Sequence, residues 1–538
     1  MVDTDSAHRL SPPMAWDAWG DPGLAKPLSA GIRTLLEQAL GVTGTDITAP
    51  GVDDVQLTPS ALSPDHHVAL AAIVGDGHLR TGDRDRLLHA GGKSTLDLLR
   101  RKQIQQDAPD AVVLPGGEDE VASVLDYCSR HRIAVVPFGG GTSVVGGLDP
   151  IRDGFEAVIT LDLRRFAALH WLDEISGEAE LGAGVTGPEA ERLLGERGFS
   201  LGHFPQSFRF ASLGGFAATR SSGQNSAGYG RFNDMLRGMR VVTPVGVLDV
   251  GGAPASAAGP DLREVFAGSE GVFGIITRVR VRVHPVPEAV RYEAWSFPDF
   301  GTGADALRTV IQTGTGPTVL RLSDEVETGI NLATTDHIGE SSVTGGCLAI
   351  TLFEGTPAHA ESRHAETRAV LIACGGTSLG EGPVKAWEHG RFDAPYLRDA
   401  LLSAGALCET LETATTWSNL PVLKAAVTEA LTTALTESGT AALVMCHISH
   451  VYPTGASLYF TVVAGQRGDA AAQWNAAKSA AARAIVDNGG TITHHHAVGA
   501  DHRPWMTDEI GDLGVAVLRA VKQTLDPAGI LNPGKLIP

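Results

Sequence analysis

For its first hundred or so residues the chain shows only one clear hydrophobic period, at Leu28, Ile32, Leu35, Leu36, Ala39 and Leu40. That spacing predicts a helix, set in an otherwise polar and irregular stretch. From Pro109 the texture changes. Ala111–Leu114 reads as a short buried strand, Glu118–His131 as a helix with Val121, Val124 and Leu125 on one face, and Ile133–Val136 as a second strand that runs into three glycines. Further strands are predicted at Ala157–Leu161, Ala179–Leu181, Met239–Thr243 and Ile275–Val283, before Pro285 and Pro287 interrupt the pattern. Beyond them, strand-like runs (Cys347–Phe353, Ala442–His450, Leu458–Ala464) alternate with helical ones (Ala358–Cys374, Ala470–Asn488), which predicts a second α+β unit. The last segment ends in the turn-rich Asp526-Pro-Ala-Gly-Ile-Leu-Asn-Pro-Gly-Lys535. The divisions expected are therefore 1–106, 107–286, 287–500 and 501–538.

Composition narrows this picture. A chain of 538 residues is too long for one core, and 43% apolar with 19% charged residues is a globular composition. A net charge of −20 argues against a nucleic-acid partner, because binding phosphates along a backbone needs a basic surface. A local arginine cluster can still hold an anionic ligand. The five cysteines, Cys128, Cys347, Cys374, Cys408 and Cys446, are scattered without a CxxC pair, which fits a reducing compartment. The first thirty residues carry Asp3, Asp5, Asp17 and Asp21 and no apolar core of a signal. With no apolar run long enough to span a bilayer, the expectation is a cytoplasmic protein, peripheral to a membrane at most.

Three glycine-rich stretches carry the candidate binding chemistry. In the first, Pro137, Phe138, Gly139, Gly140, Gly141, Thr142 and Ser143 follow a predicted strand. Glycines there let backbone N–H groups approach a phosphate, and the two hydroxyls add donors. The run is neither GxGxxG nor a P-loop, so alone it reads equally well as a tight turn. The second stretch, Phe204–Gly230, offers Gln206, Ser207, Phe208, Ser212, Gly214, Gly215, Thr219, Arg220, Ser221 and Ser222. The third, Gly268–Thr277, offers Glu270, Gly271, Gly274, Ile275, Ile276 and Thr277 at the start of a strand. Three such loops separated by strands suit a ligand long enough to touch several of them.

Together, PDAVVLP at 109–115, PFGGGTS at 137–143, GSEGVFGIIT at 268–277 and the terminal DPAGILNPGK resemble the FAD-binding domain of the vanillyl-alcohol-oxidase superfamily. The resemblance implies an α+β fold: a two-subdomain FAD-binding domain over 107–286, a substrate (cap) domain over 287–500, and a tail returning to the FAD domain. Non-covalent FAD is expected, since no His or Cys lies in 137–147. The second half, with Trp16, Trp19-Gly20, Arg321-Leu-Ser-Asp324, Phe353-Glu-Gly355, Tyr396-Leu-Arg-Asp399, Glu412-Thr-Ala414, Trp417, Tyr452, Gly455, Leu458-Tyr-Phe460 and Thr493-His-His-His496, resembles the alkyldihydroxyacetonephosphate synthase (alkylglycerone-phosphate synthase) family. That likeness implies replacement of the acyl chain of acyl-dihydroxyacetone phosphate by a fatty alcohol, with no net electron transfer. It gives Tyr459 the C1 proton, His494, His495 and His496 proton transfer and oxyanion binding, Arg398 the leaving carboxylate, and Arg321 the phosphate. A homodimer is expected, with weak membrane-surface contact through the helix at 28–42.

Residue chemistry alone leaves alternatives. On an extended strand His494 and His496 would share one face and His495 the other. A metal would need a third ligand, from His447, His450 or His389; no acidic neighbour adjoins the triplet, and no metal is expected. A proton shuttle and a structural triplet are the other readings. Departures from the family pattern are His447 for Arg, Ser212 for Thr, Gln206 for Asp, and Gln224-Asn-Ser-Ala-Gly228 where lysines are usual. The loss of positive charge at 447 and 224–228 bears on whether the substrate carries the same phosphate, and His447 and Gln206 favour the rival reading of an FAD-dependent dehydrogenase or oxidase of a 2-hydroxy acid or alcohol. A flavin-binding protein without turnover is the third reading.

Overall fold

The computed structural model describes residues 14–44, 46–334 and 346–538. Asp3 and Asp5, the rest of 1–13 in the expected N-terminal extension, and 335–345 in the expected substrate region lie outside the described residues. Three sheets organise the rest. The first has four strands in the order Leu79–Arg80, Ala111–Val113, Ala157–Asp162, Ile133–Phe138, the last three parallel. Helix Glu118–His131 packs beside it, burying Val121, Val124, Leu125 and Cys128. Its acidic first turn and basic last turn suit the helix dipole. The strand at 133 carries on to Phe138, so the glycine run begins where the ladder ends.

The second sheet is antiparallel, in the order Gly246–Gly251, Leu236–Thr243, Ile275–Arg282, Glu178–Gly182, Leu169–Asp173. It shares one apolar core with the first, filled by Phe216, Phe232, Phe266 and Phe273. The chain's end joins the first sheet: Val135 N–H donates to Ile530 O (2.9 Å) and Asn532 N–H to Val135 O (2.9 Å).

The third sheet forms a wall of the site. Its seven antiparallel strands run Thr377–Gly380, Ala289–Phe297, Cys347–Gly355, Val319–Ser323, Ala442–Tyr452, Gly455–Gly465, Ala406–Thr416. Strand side chains alternate between faces. Here Leu320, Leu322, Cys446, Ile448, Leu458, Phe460 and Val462 pack under helices Phe300–Thr313, Leu420–Glu437 and Ala470–Asp487. Their neighbours Val319, Arg321, Met445, His447, Ser449, Tyr459, Thr461 and Val463 therefore face the other way, into a cavity.

Several elements differ from the sequence expectation. Among the described residues of 1–105 the chain is not irregular: beside helix Ala30–Leu40 it holds helices Pro64–Val74, Asp83–Leu88 and Thr95–Arg100. Ser63 before Pro64 caps the first of these, accepting from His66 N–H. Strand Ala406–Thr416 was hidden by its acidic residues Glu409 and Glu412, and helix Met506–Leu525 by the turn-rich end that follows it. Helix Ala30–Leu40 is tied into the substrate region, with Leu28, Leu36 and Leu40 packed on Leu401, Ala406, Met445 and Val463.

Candidate active site

One cavity of about 720 Å³ runs between the glycine loops and the third sheet. At one end stands the whole run Pro137, Phe138, Gly139, Gly140, Gly141, Thr142 and Ser143. Gly140 is required by contact: a Cβ there would lie 2.0 Å from Phe210 O, so any side chain would drive the 137–143 and 204–212 loops apart. Gly271 is required twice over, by φ +74° and by Pro137 Cγ at 2.2 Å from an added Cβ. Gln206, Ser207, Ser212, Gly214, Gly215, Thr219, Ser221, Ser222, Glu270, Gly271, Gly274 and Ile276 complete this end. Ser212 caps the following helix by accepting from Gly215 N–H (3.3 Å).

Four expected contact residues lie elsewhere. Phe208 packs on Phe204 and Phe392, and Arg220 turns away to Ala267 O (2.8 Å) and Glu264. Ile275 is buried in the core, and the Thr277 hydroxyl donates to Glu118 Oε1 (3.0 Å). Strand alternation is the reason for the last two, since Gly274 and Ile276 take the cavity face.

This end fits an extended, polar cofactor. Gln206 Nε2 and Asn532 Oδ1 are buried polar atoms without a protein partner, and both residues line the cavity. Orphaned buried groups of this kind are rare unless a ligand completes them. Glu270, with a left-handed φ of 52°, ties this end to the next by accepting from Val498 N–H (2.8 Å) and Gly499 N–H (2.7 Å). Burial raises its carboxyl to about 7, against those two backbone bonds.

At the other end the third sheet presents Tyr459, with Glu412 and His447 directly opposite it on the two flanking strands. The His447 ring lies 4.8 Å from the tyrosine ring at 19°, the His495 ring 5.9 Å at 19°, and the His496 ring 5.5 Å at 85°. Burial pushes the phenol up to about 12. Arg398 enters from helix Ala394–Ser403, donating to Lys93 O (2.7 Å) and to Asp399 Oδ1 (2.8 and 2.9 Å). The other Asp399 oxygen accepts from Trp19 N–H (2.5 Å), so the N-terminal stretch holds this pair in place. Arg321 donates to Glu327 and lies 3.1 Å from His447 Nδ1.

The three histidines are not on a strand. Glu412, 2% exposed, accepts from the N–H groups of His494 (2.6 Å), His495 (3.1 Å) and His496 (2.9 Å) and from the Thr493 hydroxyl (2.6 Å). Three consecutive amides aimed at one carboxylate require a turn, so the alternating faces of an extended strand do not arise. Ala497 follows at φ 75°, a strained conformation held by the Glu270 contacts just beyond it. Burial lowers all three imidazoles, His494 to about 4, and they are neutral at pH 7. Burial would raise Glu412, but the surrounding histidines and the Thr493 hydroxyl hold it well below the carboxylate range. His495 and His496 line the cavity, whereas His494 lies behind them, bonded to the Tyr452 hydroxyl (2.5 Å) and to His495 Nδ1 (2.9 Å). Of the third ligands considered, His450 comes near: its ligand atom and those of His494 and His495 lie within 4.8 Å of one another.

Past Tyr459 and His447, along the same face of the third sheet, the lining turns apolar and forms a branch. It is lined by Ile32, Leu35, Leu36, Ala39 and Leu40 from the N-terminal helix, and by Leu397, Leu401, Leu443, Met445 and Val463. Sequence reasoning missed this role for the helix, and gave none to Glu412, Glu327, Glu409 or Asp399. Two glutamates, Glu409 and Glu412, inside the otherwise uncharged run 406–416 were the available signal.

Comparisons with known proteins identify the family. A family model described as "FAD binding domain" matches residues 109–251, and one described as "FAD linked oxidases, C-terminal domain" matches 286–536. The chain is 33% identical to alkyldihydroxyacetonephosphate synthase of Trypanosoma brucei brucei, over 97% of this chain and 92% of the relative. With that of Dictyostelium discoideum it shares 32% identity, over 97% and 93%. A solved structure of alkyldihydroxyacetonephosphate synthase superposes with a TM-score of 0.84 at 30% identity, over 97% of this chain and 99% of the other. FAD is the cofactor these matches and the glycine-walled end of the cavity identify, and the chain belongs to the alkyldihydroxyacetonephosphate synthase family of FAD-linked enzymes.

Proposed function

We propose that this chain forms an ether bond, exchanging the acyl chain of acyl-dihydroxyacetone phosphate for a fatty alcohol. The observation that carries the reading is the apolar branch, which opens beside Tyr459, Arg398 and Arg321. A small 2-hydroxy acid would leave that branch without a task, whereas a long alkyl chain gains from burying its methylenes there. FAD, when bound, supplies an electron-accepting ring that activates the substrate carbon.

The chain's own residues do the rest. The glycine loops hold the cofactor non-covalently. Arg398, kept charged by Asp399 and Glu409 despite its burial, faces the leaving carboxylate. Arg321 faces the phosphate. Tyr459 is protonated at rest, so removing the C1 proton requires its own proton to pass to a neutral imidazole; of the three rings in contact with it, His447 is engaged with Glu327, which leaves His495 and His496 for that task. Glu412 fixes both rings through their backbone amides. No described helix is long and apolar enough to cross a membrane, and the substrate's chain is expected to enter through the branch under helix Ala30–Leu40.

The test is anaerobic mixing of the holoenzyme with two sets of ligands. Acyl-dihydroxyacetone phosphate is expected to perturb the flavin spectrum and release fatty acid, while D-lactate, glycolate and related hydroxy acids leave it oxidised. Full bleaching by a hydroxy acid, with its oxo acid formed, would overturn the proposal.

A further inference from the structure

A phosphate at the Arg321 end of the cavity needs positive charge, yet the charges there cancel. Arg321 donates to one oxygen of Glu327, and His447 Nδ1 lies 2.9 Å from the other. With a neutral imidazole the three groups sum to zero; with an imidazolium they sum to one positive charge. We propose that His447 is the switchable charge of an anion subsite, so that a phosphate-bearing ligand binds there with uptake of one proton. The inference rests on the ether-bond reading for the ligand's identity, but its anion chemistry can be tested apart from turnover.

The geometry supports this assignment. Arg321, Glu327 and His447 line the same cavity as Tyr459, and His447 touches both the arginine and the tyrosine ring. The groups facing His447 can be followed element by element. From strand Val319–Ser323 and the turn after it come Arg321 and Asp324, from the next helix Glu327, and from strand Gly455–Gly465 Tyr459. Asp324 is already committed: Lys424 of helix Leu420–Glu437 is 3.0 Å from it, and it accepts from Glu327 N–H (2.9 Å) and Cys446 N–H (3.1 Å). Across Tyr459 the nearest ionisable rings are His495 and His496. Burial and the Arg321 charge lower His447, with Glu327 opposing, so without a bound anion the imidazole is neutral at pH 7. Glu327 stays ionised, held below the usual carboxylate range by the Arg321 charge and by its hydrogen bonds to His447 and Arg321, although burial opposes them. A dianion placed beside this trio favours the imidazolium. Protonation and anion binding are then linked, and affinity falls about tenfold per pH unit between the free and bound titrations of His447.

Inorganic sulfate is the probe, because its charge is constant over the working pH range. Holoenzyme is titrated calorimetrically across that range in buffers of different ionisation heat, as wild type, His447→Gln, His447→Arg and Arg321→Met. Expected for the wild type are uptake of one proton and the tenfold-per-unit slope. His447→Arg should bind without proton uptake and without slope, His447→Gln weakly and without slope, and Arg321→Met not at all. Wild-type binding without proton uptake, uptake unchanged in His447→Gln, undiminished binding to Arg321→Met, or no sulfate binding would each overturn the proposal. The wild-type buffer series alone decides if a variant does not fold. Fatty-alcohol exchange is measured on the same preparations: exchange with a flat sulfate profile sinks this inference only, and a linked sulfate profile without exchange sinks the ether-bond reading only.

Discussion

The two ends of the cavity are built on different principles. The cofactor end is made by backbone: glycines at 139–141, 214, 215, 271 and 274 let loops close on one another and on a ligand. The reactive end is lined by side chains from separate strands, Arg321, His447 and Tyr459, plus Arg398 from a helix and His495 and His496 from a turn that Glu412 holds from behind. Damage to the first should remove the cofactor. Damage to the second should leave a flavoprotein that has lost its chemistry.

The comparison is broken most severely at Gly140. Gly140→Ala forces its Cβ against a backbone carbonyl rather than a movable side chain, so protein purified with this change should carry no flavin absorbance and no turnover. If flavin is retained at the wild-type ratio, the backbone account of that end fails. Tyr459→Phe comes next: exchange should drop by about 10²–10⁴-fold, the usual worth of a positioned acid–base group, with flavin content unchanged.

Glu412→Gln tests whether the reactive end has its own keystone. One buried carboxylate serves four donors, and the amide can satisfy them less well while adding donors that need acceptors. A loss of about 2–3 kcal/mol in chemical denaturation is expected, with flavin retained under native conditions. The histidines predict a pH signature at the same end. Their folded titrations lie below the ordinary 6.5, so on acidification the unfolded chain takes up protons first. Stability should therefore fall as pH drops from about 6.5 to about 4, read as a declining Tm, and His494→Gln should flatten part of that decline. The smallest effect is expected in the apolar branch. Leu36→Trp should raise KM for long alcohols about tenfold, roughly 1.4 kcal/mol, and spare short ones.

The same contrast explains what the sequence made legible. Each segment of the cofactor end is contiguous: strand, glycine run and Ser212 cap are local signals, and the misplaced residues were Ile275 and Thr277, by face alternation, and Phe208 and Arg220, which turn to Phe392 and Glu264. Tyr459 and the histidine triplet were visible through resemblance, but their partners were not. Glu412 lies 47 residues before Tyr459 and meets it only through strand pairing. Glu327 meets His447 because strand Val319–Ser323 pairs beside Ala442–Tyr452 and the helix after it turns back over both. No local pattern encodes such meetings. The N-terminal helix was legible as a helix, yet its role as wall of the apolar branch depends on where Leu401, Met445 and Val463 fall in space.

The most direct measurement supplies the holoenzyme with acyl-dihydroxyacetone phosphate and labelled fatty alcohol, under anaerobic conditions and without an electron acceptor. The account predicts repeated turnover: label enters the ketone phosphate as an ether, one fatty acid is released per label incorporated, and the flavin remains oxidised at the end. Turnover that stops after one equivalent with the flavin reduced, or that requires an acceptor and yields no labelled ether, would contradict it.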